Sequence, residues 1–404
     1  MLEDPDLIRR ILEDIFALGV AGEQELVATI YLTGTSRLLD RPLAAIVQGT
    51  SSSGKSFPIR KVAGVFPPET VLHATQMSPQ ALFYMEPGSL RHKFVVAGER
   101  SRLQRDEAAE ATRALREMIS EGCLDKRVSM KVAGTIRTIH LHQEGPIAYV
   151  ESTTQTSIFA EDANRALLLQ TDESSAQTRR VLRKVASTYG ENIGGCEAEN
   201  IITRHWAAQR MLRSYAVCIP YAERLAALFP DQRVEARRAV GHIMNMIAAV
   251  ALLHQRQRET DPDGRLVATG EDFQIARRLL DHPMARLVGR RISNAALRFR
   301  DRLEGWASGG NFSTRDATQK ENATDRSVRG WLGELHRAGY MELVAEPRGK
   351  EPAIWRLAPQ GPSEHVSILP TVAELFPELP DSLSGSAHDL AMKDVAPEID
   401  VSSG

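Results

Sequence analysis

The chain has 404 residues, 42% of them apolar and 25% charged, the composition of a soluble globular protein long enough for two or three domains. Its formal net charge of -2 excludes a global field that would draw the whole molecule onto nucleic acid, so any DNA-binding surface must be a local patch. The three cysteines, Cys123, Cys196 and Cys218, are scattered without the paired spacing of a zinc cluster or a disulfide framework, and read as thiols of a reducing compartment.

The acidic opening Met1-Leu2-Glu3-Asp4 has no basic-then-apolar leader pattern. Leu7, Ile8, Ile11, Leu12, Ile15 and Phe16 recur at helical spacing, which predicts helix in a segment spanning 1–40, punctuated by Gly19 and Gly22. Leu43 to Val47 is a short apolar run ahead of Gly49, the pattern of a buried strand, and Lys93 to Ala97 is a second. Ala108, Ala111, Leu115, Met118 and Ile119 mark a helix over 105–120, which Gly122 ends. From 126 to 142 the period changes to two, predicting a hairpin around Ala133-Gly134. Strands at Pro146 to Val150 and Ala166 to Leu169 follow, so strands alternate with helices as in a mostly parallel sheet covered on both faces.

Residues 173–306 are mainly helical. The longest apolar run there, Ile243 to Leu253, is too short to span a bilayer, so no membrane partner and a cytoplasmic location are expected. Beyond residue 359 the chain is rich in Pro, Ser, Gly and acids, a composition that predicts disorder; Val372, Ala373, Leu375, Phe376 and Leu379 lie close enough for a short docking segment.

Chemistry is concentrated at Gly49-Thr50-Ser51-Ser52-Ser53-Gly54-Lys55-Ser56, which fits Gly-x4-Gly-Lys-Ser directly after a predicted strand. There the glycines let backbone N–H groups converge on phosphates, Lys55 reaches the outer phosphates and the Ser56 hydroxyl ligates Mg2+. ATP and Mg2+ are the expected cofactors. The strand ending in Glu99 offers a carboxylate to polarise the attacking water and help hold the metal, although Gly98 stands where a second acid is expected; Asp106 and Glu107 are the substitutes, but they open a helix. Thr153, in Glu151-Ser152-Thr153-Thr154, would place a hydroxyl beside the γ-phosphate, and Arg165 would project into a neighbouring subunit's site.

Residues 30–280 resemble the helicase-type AAA+ domains of primase-helicases from plasmids, phages and integrative elements, which are distantly similar to minichromosome-maintenance helicases. The likeness is carried in order by Thr35-Ser36-Arg37-Leu38-Leu39, the P-loop, Leu115 to Gly122, Gly145-Pro146-Ile147, Ser152-Thr153-Thr154 and Asn164-Arg165. Asp172-Glu173-Ser174, Gln177-Thr178 and Leu253 to Arg258 extend it. The resemblance implies a P-loop AAA+ parallel sheet with helices on both faces (41–172), a helical lid and connecting helices (173–306), and a homo-oligomeric, hexameric ring. It also implies that the 126–142 hairpin faces the pore, with Lys126, Arg127, Lys131 and Arg137 gripping a phosphate backbone. The cysteine spacing supplies no primase zinc cluster, so either priming lies on another protein, a primase being then a replication partner, or this ATPase serves another purpose.

Residues 307–358 form a separate α/β unit. Ser313 to Thr318 predicts one helix; Val328, Trp331, Leu332, Leu335 and Ala338 make the buried stripe of a second; two strands then flank a charged turn at 347–351. The pattern resembles a winged helix, with Arg326 and Arg329 on the second helix and Arg348 and Lys350 on the wing as DNA contacts. Eight basic residues against seven acidic ones in 311–358 leave protein packing as the other use of this unit.

Three functions follow in order: an ATP-driven DNA translocase or helicase, an ATP-gated DNA-binding regulator or loader, and a small-molecule kinase. A kinase has no use for a winged helix.

Overall fold

The computed structural model describes residues 1–51, 53–74, 81–99, 114–132, 135–155, 165–190, 195–229, 236–288, 294–307, 309–321, 323–337, 340–347, 352–358 and 369–377. The chain divides into one unit of residues 1–283 with 369–404 and a second of 284–368.

The first unit begins with α1 (Leu7–Ala17) and α2 (Gln24–Thr35), then β1 (Ala44–Gln48), α3 (Ser56–Gly64), β2 (Val71–Ala74) and β3 (Lys93–Glu99). A helix α4 over 114–121 leads into the hairpin β4 (Cys123–Val132) and β5 (Thr135–Glu144), followed by β6 (Ile147–Thr153) and β7 (Leu167–Gln170). Strands β2, β3, β6, β1 and β7 lie in that order in a five-stranded sheet, every pair parallel. All five residues of β1 and all seven of β6 are buried, as strands covered on both faces must be.

One face of the sheet presents Ala44, Ile46, Val95, Ile147 and Tyr149 to Ala114 and Met118 of α4 and to Leu82, Phe83 and Leu90. On the other side Phe94 packs tilted against Phe66, and Phe66 against Tyr31 of α2, with ring centroids 5.2 and 5.1 Å apart. The approach is close: a Cβ on Gly34 would come within 2.6 Å of Phe66.

The lid region contains α5 (Ser175–Gly190), α6 (Gly195–Met211), β8 (Val217–Cys218), α7 (Ala222–Leu228), α8 (Ala236–Leu253), β9 (Leu266–Val267) and α9 (Gly270–Val288). Among the described residues α8 is long and apolar enough to cross a membrane, by length and composition only; its Ile243, Met246, Ile247 and Val250 are fully buried, and it packs on α2. Its hydropathy is that of a core helix.

A buried polar chain joins α1, α2 and α6. His205 Nε2 meets Asp14 Oδ2 at 3.1 Å, Tyr31 Oη meets His205 Nδ1 at 3.1 Å, Gln209 Nε2 donates to Tyr31 Oη at 3.2 Å, and Arg37 Nη1 donates to Gln209 Oε1 at 2.7 Å. Every link has a partner, as burial demands. Burial alone would raise the Asp14 carboxyl, but the hydrogen bonds from His205 and Arg204 outweigh it and hold the group below its ordinary range. Burial lowers Arg37 to about 10. The stretch Leu253 to Arg258 is likewise structural: Gln257 donates to the carbonyls of Leu2 and Asp4, and Arg258 clamps the buried Asp272 through 2.7 and 2.9 Å bonds.

The tail corrects the expectation of disorder from residue 359. Residues 369–377 are packed, with α13 (Val372–Leu375) started by a reciprocal cap between Thr371 and Glu374. Leu369 and Leu375 are buried, Phe376 stands edge-on to Tyr221 at 5.0 Å, and Arg277 Nε donates to the Pro370 carbonyl at 2.8 Å. Each buried leucine contributes roughly 1.5–3 kcal/mol, enough to order a short segment of acidic composition. The remainder of the tail, from 378, lies outside the described residues.

The second unit holds α10 (Asn294–Trp306), β10 (Asn311–Ser313), α11 (Thr314–Glu321), α12 (Asp325–Arg337), β11 (Met341–Ala345) and β12 (Ile354–Leu357). Its strands form an antiparallel sheet in the order β10-β12-β11. Phe299, Leu303, Ala317, Val328, Leu332 and Leu335 make one core, so α10, expected among the connecting helices, belongs to this unit.

Candidate nucleotide site

Parallel strands end on the same edge of a sheet, and in open α/β sheets ligands bind outside those carboxyl ends. Gln48 of β1, Thr153 of β6 and Glu99 of β3 close three successive neighbouring strands, and Gln170 of β7 flanks β1 on the other side.

The P-loop leaves β1 at Gly49, whose N–H donates to the Thr153 carbonyl at 3.3 Å. Position 49 is tight: a Cβ there would come within 2.2 Å of Thr171 Oγ1 and 2.5 Å of Ser53 Oγ, so a larger residue would force those hydroxyls to move. Gly54 has φ +85°, the left-handed region that glycine adopts without strain. Lys55 is 5% exposed and folds back on its own loop, Nζ donating to the carbonyls of Thr50 at 2.7 Å and Gly49 at 3.1 Å. Ser56 opens α3, so the positive end of that helix faces the loop it follows. Ser51 is exposed in the loop, and Ser53 accepts from the Thr171 hydroxyl at 3.1 Å. Ser52 lies outside the described residues.

Three residues outside the Gly-x4-Gly-Lys-Ser pattern lie on or near the loop. Thr171 follows β7 and donates its N–H to the Gln48 carbonyl at 3.1 Å. Glu173 accepts from Thr50 N–H at 2.6 Å, so a carboxylate already sits on the loop. Glu23 accepts from Asp172 N–H at 2.9 Å. Burial pushes the Glu23 carboxyl up to about 7, and the Asp172 charge adds to this against that hydrogen bond.

Glu23 therefore links stability to pH. Its folded value lies above its ordinary 4.5, so the folded state holds more protons between those values. The contribution is complete below pH 4.5 and lost as pH rises through about 7. Glu23→Gln should remove that fall from a plot of melting temperature against pH. Parallel curves for the two proteins would contradict the assignment.

On β3 the pairing with β6 slips: Val96 faces Val150, but Glu99 faces Ser152. Three steps on one strand against two on the other is a bulge with one extra residue. Without it residue 98 would stand opposite Ser152, so the bulge carries Glu99 into the register position that Gly98 otherwise takes. One carboxylate thereby stands where the acid missing from the sequence was expected. Glu99 is exposed at the strand end; Asp106 and Glu107 lie outside the described residues.

On β6, Thr153 is fully buried and its Oγ1 accepts from Gln155 N–H at 3.1 Å. Glu151, two residues earlier on the same face, is buried and accepts from the Tyr149 hydroxyl at 3.1 Å. It is a second acid of this sheet that strand pattern alone did not single out. Arg165 precedes β7 and donates from Nε to Ser120 Oγ of α4 at 2.7 Å; Glu161 to Asn164 before it lie outside the described residues.

The basic residues of the hairpin do not share one face. Lys126 pairs with Leu141 and Arg137 with Met130, on the side of Val128 and Ile139, and the Lys126 ammonium lies 5.0 Å from the Phe83 ring centroid. Arg127 pairs with His140 on the opposite, exposed side. Lys131 pairs with Ile136, and its side chain is outside those described. A single four-cation grip is therefore replaced by two faces. In the second unit Arg326 is exposed and Arg329 pairs with Asp325 at 2.7 Å, while Arg348 and Lys350 fall outside the described residues.

No curated protein matches the chain. The model of the MTBMA_p00010 P-loop domain matches residues 1–206, a span that runs from α1 through the whole five-stranded sheet into α6. The protein belongs to that P-loop family, which points to nucleotide binding, and the loop from Gly49 to Ser56 is its candidate nucleotide site.

Proposed function

We propose that this chain is an ATP-dependent DNA translocase or helicase of a mobile genetic element, working as a hexameric ring with ATP sites at subunit interfaces. The observation that carries this reading is the strand order. The hydroxyl-bearing β6 lies between the P-loop strand β1 and the acidic β3, so Lys55, Thr153 and Glu99 belong to one sheet edge. In this reading Lys55 and the loop N–H groups hold the ATP phosphates, Ser56 and Glu99 hold Mg2+, Glu99 polarises water and Thr153 reports the γ-phosphate.

Two further features support a motor. Between β3 and β6 the chain inserts α4 and a hairpin of ten-residue strands, long enough to project towards a pore. On α5, directly after the P-loop neighbours Thr171 and Glu173, Val181, Leu182, Val185 and Tyr189 are exposed, Tyr189 at 91%. An apolar stripe of this kind marks an interaction surface, here the packing of the next subunit. Arg165 would complete that subunit's site.

The helix–helix–hairpin order of the second unit supports a winged helix touching DNA through Arg326, Arg329, Arg348 and Lys350. A primase on another chain and a cytoplasmic setting complete the proposal. The single acid at the end of β3 favours a second reading, an ATP-gated DNA-binding regulator or loader. A forked duplex separates them: the motor displaces a strand only while ATP is hydrolysed, whereas a regulator binds the fork under ATP and displaces nothing.

A further inference from the structure

The β4–β5 hairpin gathers three metal-ligating side chains on its exposed face. Asp125 pairs directly with His142, and His140 lies two residues earlier on β5, so the two-residue period of a strand puts all three on one side. His140 Nε2 is 2.6 Å from Asp125 Oδ1, and His142 Nδ1 is 3.0 Å from the same oxygen. One ligand atom from each residue lies within 4.8 Å of the others. The imidazole ring centroids are 6.1 Å apart.

We propose that Asp125, His140 and His142 form a binding site for a divalent transition metal of the zinc class. Two imidazole nitrogens and one carboxylate oxygen are the donor set of Zn2+ and its neighbours, whereas Mg2+ and Ca2+ favour sites built from oxygen alone. Metal–ligand bonds of about 2.0–2.1 Å at tetrahedral angles place ligand atoms about 3.3 Å apart, so admitting an ion requires the two nitrogens to draw back from Asp125 Oδ1 by under about 1 Å and to approach one another by no more than about 1.5 Å. Exposed side chains on a pleated surface can make that adjustment by rotation alone.

The ion would join β4 to β5 close to the hairpin base, where Leu124 and Gln143 are buried, and would fix the register of the arms beyond. Three protein ligands leave a position for water. Arg127, opposite His140 on the same face, sets its charge against the ion and keeps the site from binding as tightly as a structural zinc centre. The proposal is independent of the P-loop chemistry.

The test titrates the full-length, untagged, chelator-stripped protein with Zn2+ by calorimetry and with Co2+ by visible absorption. The expected result is one ion per chain, with the visible bands of tetrahedral Co2+ bearing nitrogen ligands. His142→Ala and Asp125→Asn should each weaken binding by more than about tenfold. All three residues are exposed, so the variants should fold, and unchanged melting temperatures without metal would confirm it. Amide exchange in β4 and β5 should slow on adding Zn2+ to the wild type and stay unchanged in His142→Ala. Absence of binding, or binding and protection that survive both substitutions, would overturn the proposal and leave the cluster as a hydrogen-bonded brace.

Discussion

Replacing Lys55 with Ala abolishes ATP hydrolysis and leaves the fold intact. The side chain makes two described hydrogen bonds, both to carbonyls of its own loop, so its loss breaks no described hydrogen bond between elements. ATP would supply the missing anion: the ammonium leaves Gly49 and Thr50 for the outer phosphates, where charge develops in the transition state. Removing one such preorganised group costs about 10²- to 10³-fold in turnover. Phosphate release from Lys55→Ala should fall at least that far, while circular dichroism and melting temperature stay at wild-type values. Near-normal turnover would mean that the loop does not serve a hydrolase.

Arg165→Ala should also cut turnover steeply. An arginine supplied from a neighbour is worth about 10³- to 10⁵-fold in hydrolysis rate. In the single chain its described bond is to Ser120 Oγ, a surface contact, so the variant should fold and bind ATP as the wild type does. Mixing it with Lys55→Ala should restore part of the activity, because some interfaces then pair an intact P-loop with an intact arginine. A labelled-subunit control must show that subunits exchange. If the mixture exchanges subunits and stays inactive, or Arg165→Ala turns over normally, Arg165 has no role across the interface.

The parts of the fold legible in the sequence were those with local signals. Leu43 to Val47 and Lys93 to Ala97 are apolar enough to read as buried strands, and the glycines of the P-loop have physical requirements that the structure satisfies at Gly49 and Gly54. Strand β2 was missed because Val71 to Ala74 is a short stretch at the sheet edge, three residues half-buried and His73 exposed. The hairpin proved longer than its apolar alternation suggested, since its outer positions are charged and its inner ones only partly apolar. The bulge beneath Glu99 is a property of pairing with β6, which no local pattern reveals.

The docked tail carried a signal that composition masked: Thr371-Val372-Ala373-Glu374 is a capping box, and Phe376 follows it. Arg37 and Glu151 are a different case, because their roles depend on Gln209 and Tyr149 meeting them in space. Asp125, His140 and His142 stand 15 and 17 residues apart in the chain, and only the hairpin register unites them.

If ATP is hydrolysed between subunits and the cycle acts on DNA, ATP turnover per subunit depends on protein concentration and on single-stranded DNA, and one assay can vary both. The ring predicts low turnover in the dilute protein, a steep rise as subunits assemble, and a further increase with DNA at each concentration above assembly. Turnover that is the same per subunit at every concentration and indifferent to DNA would contradict the account.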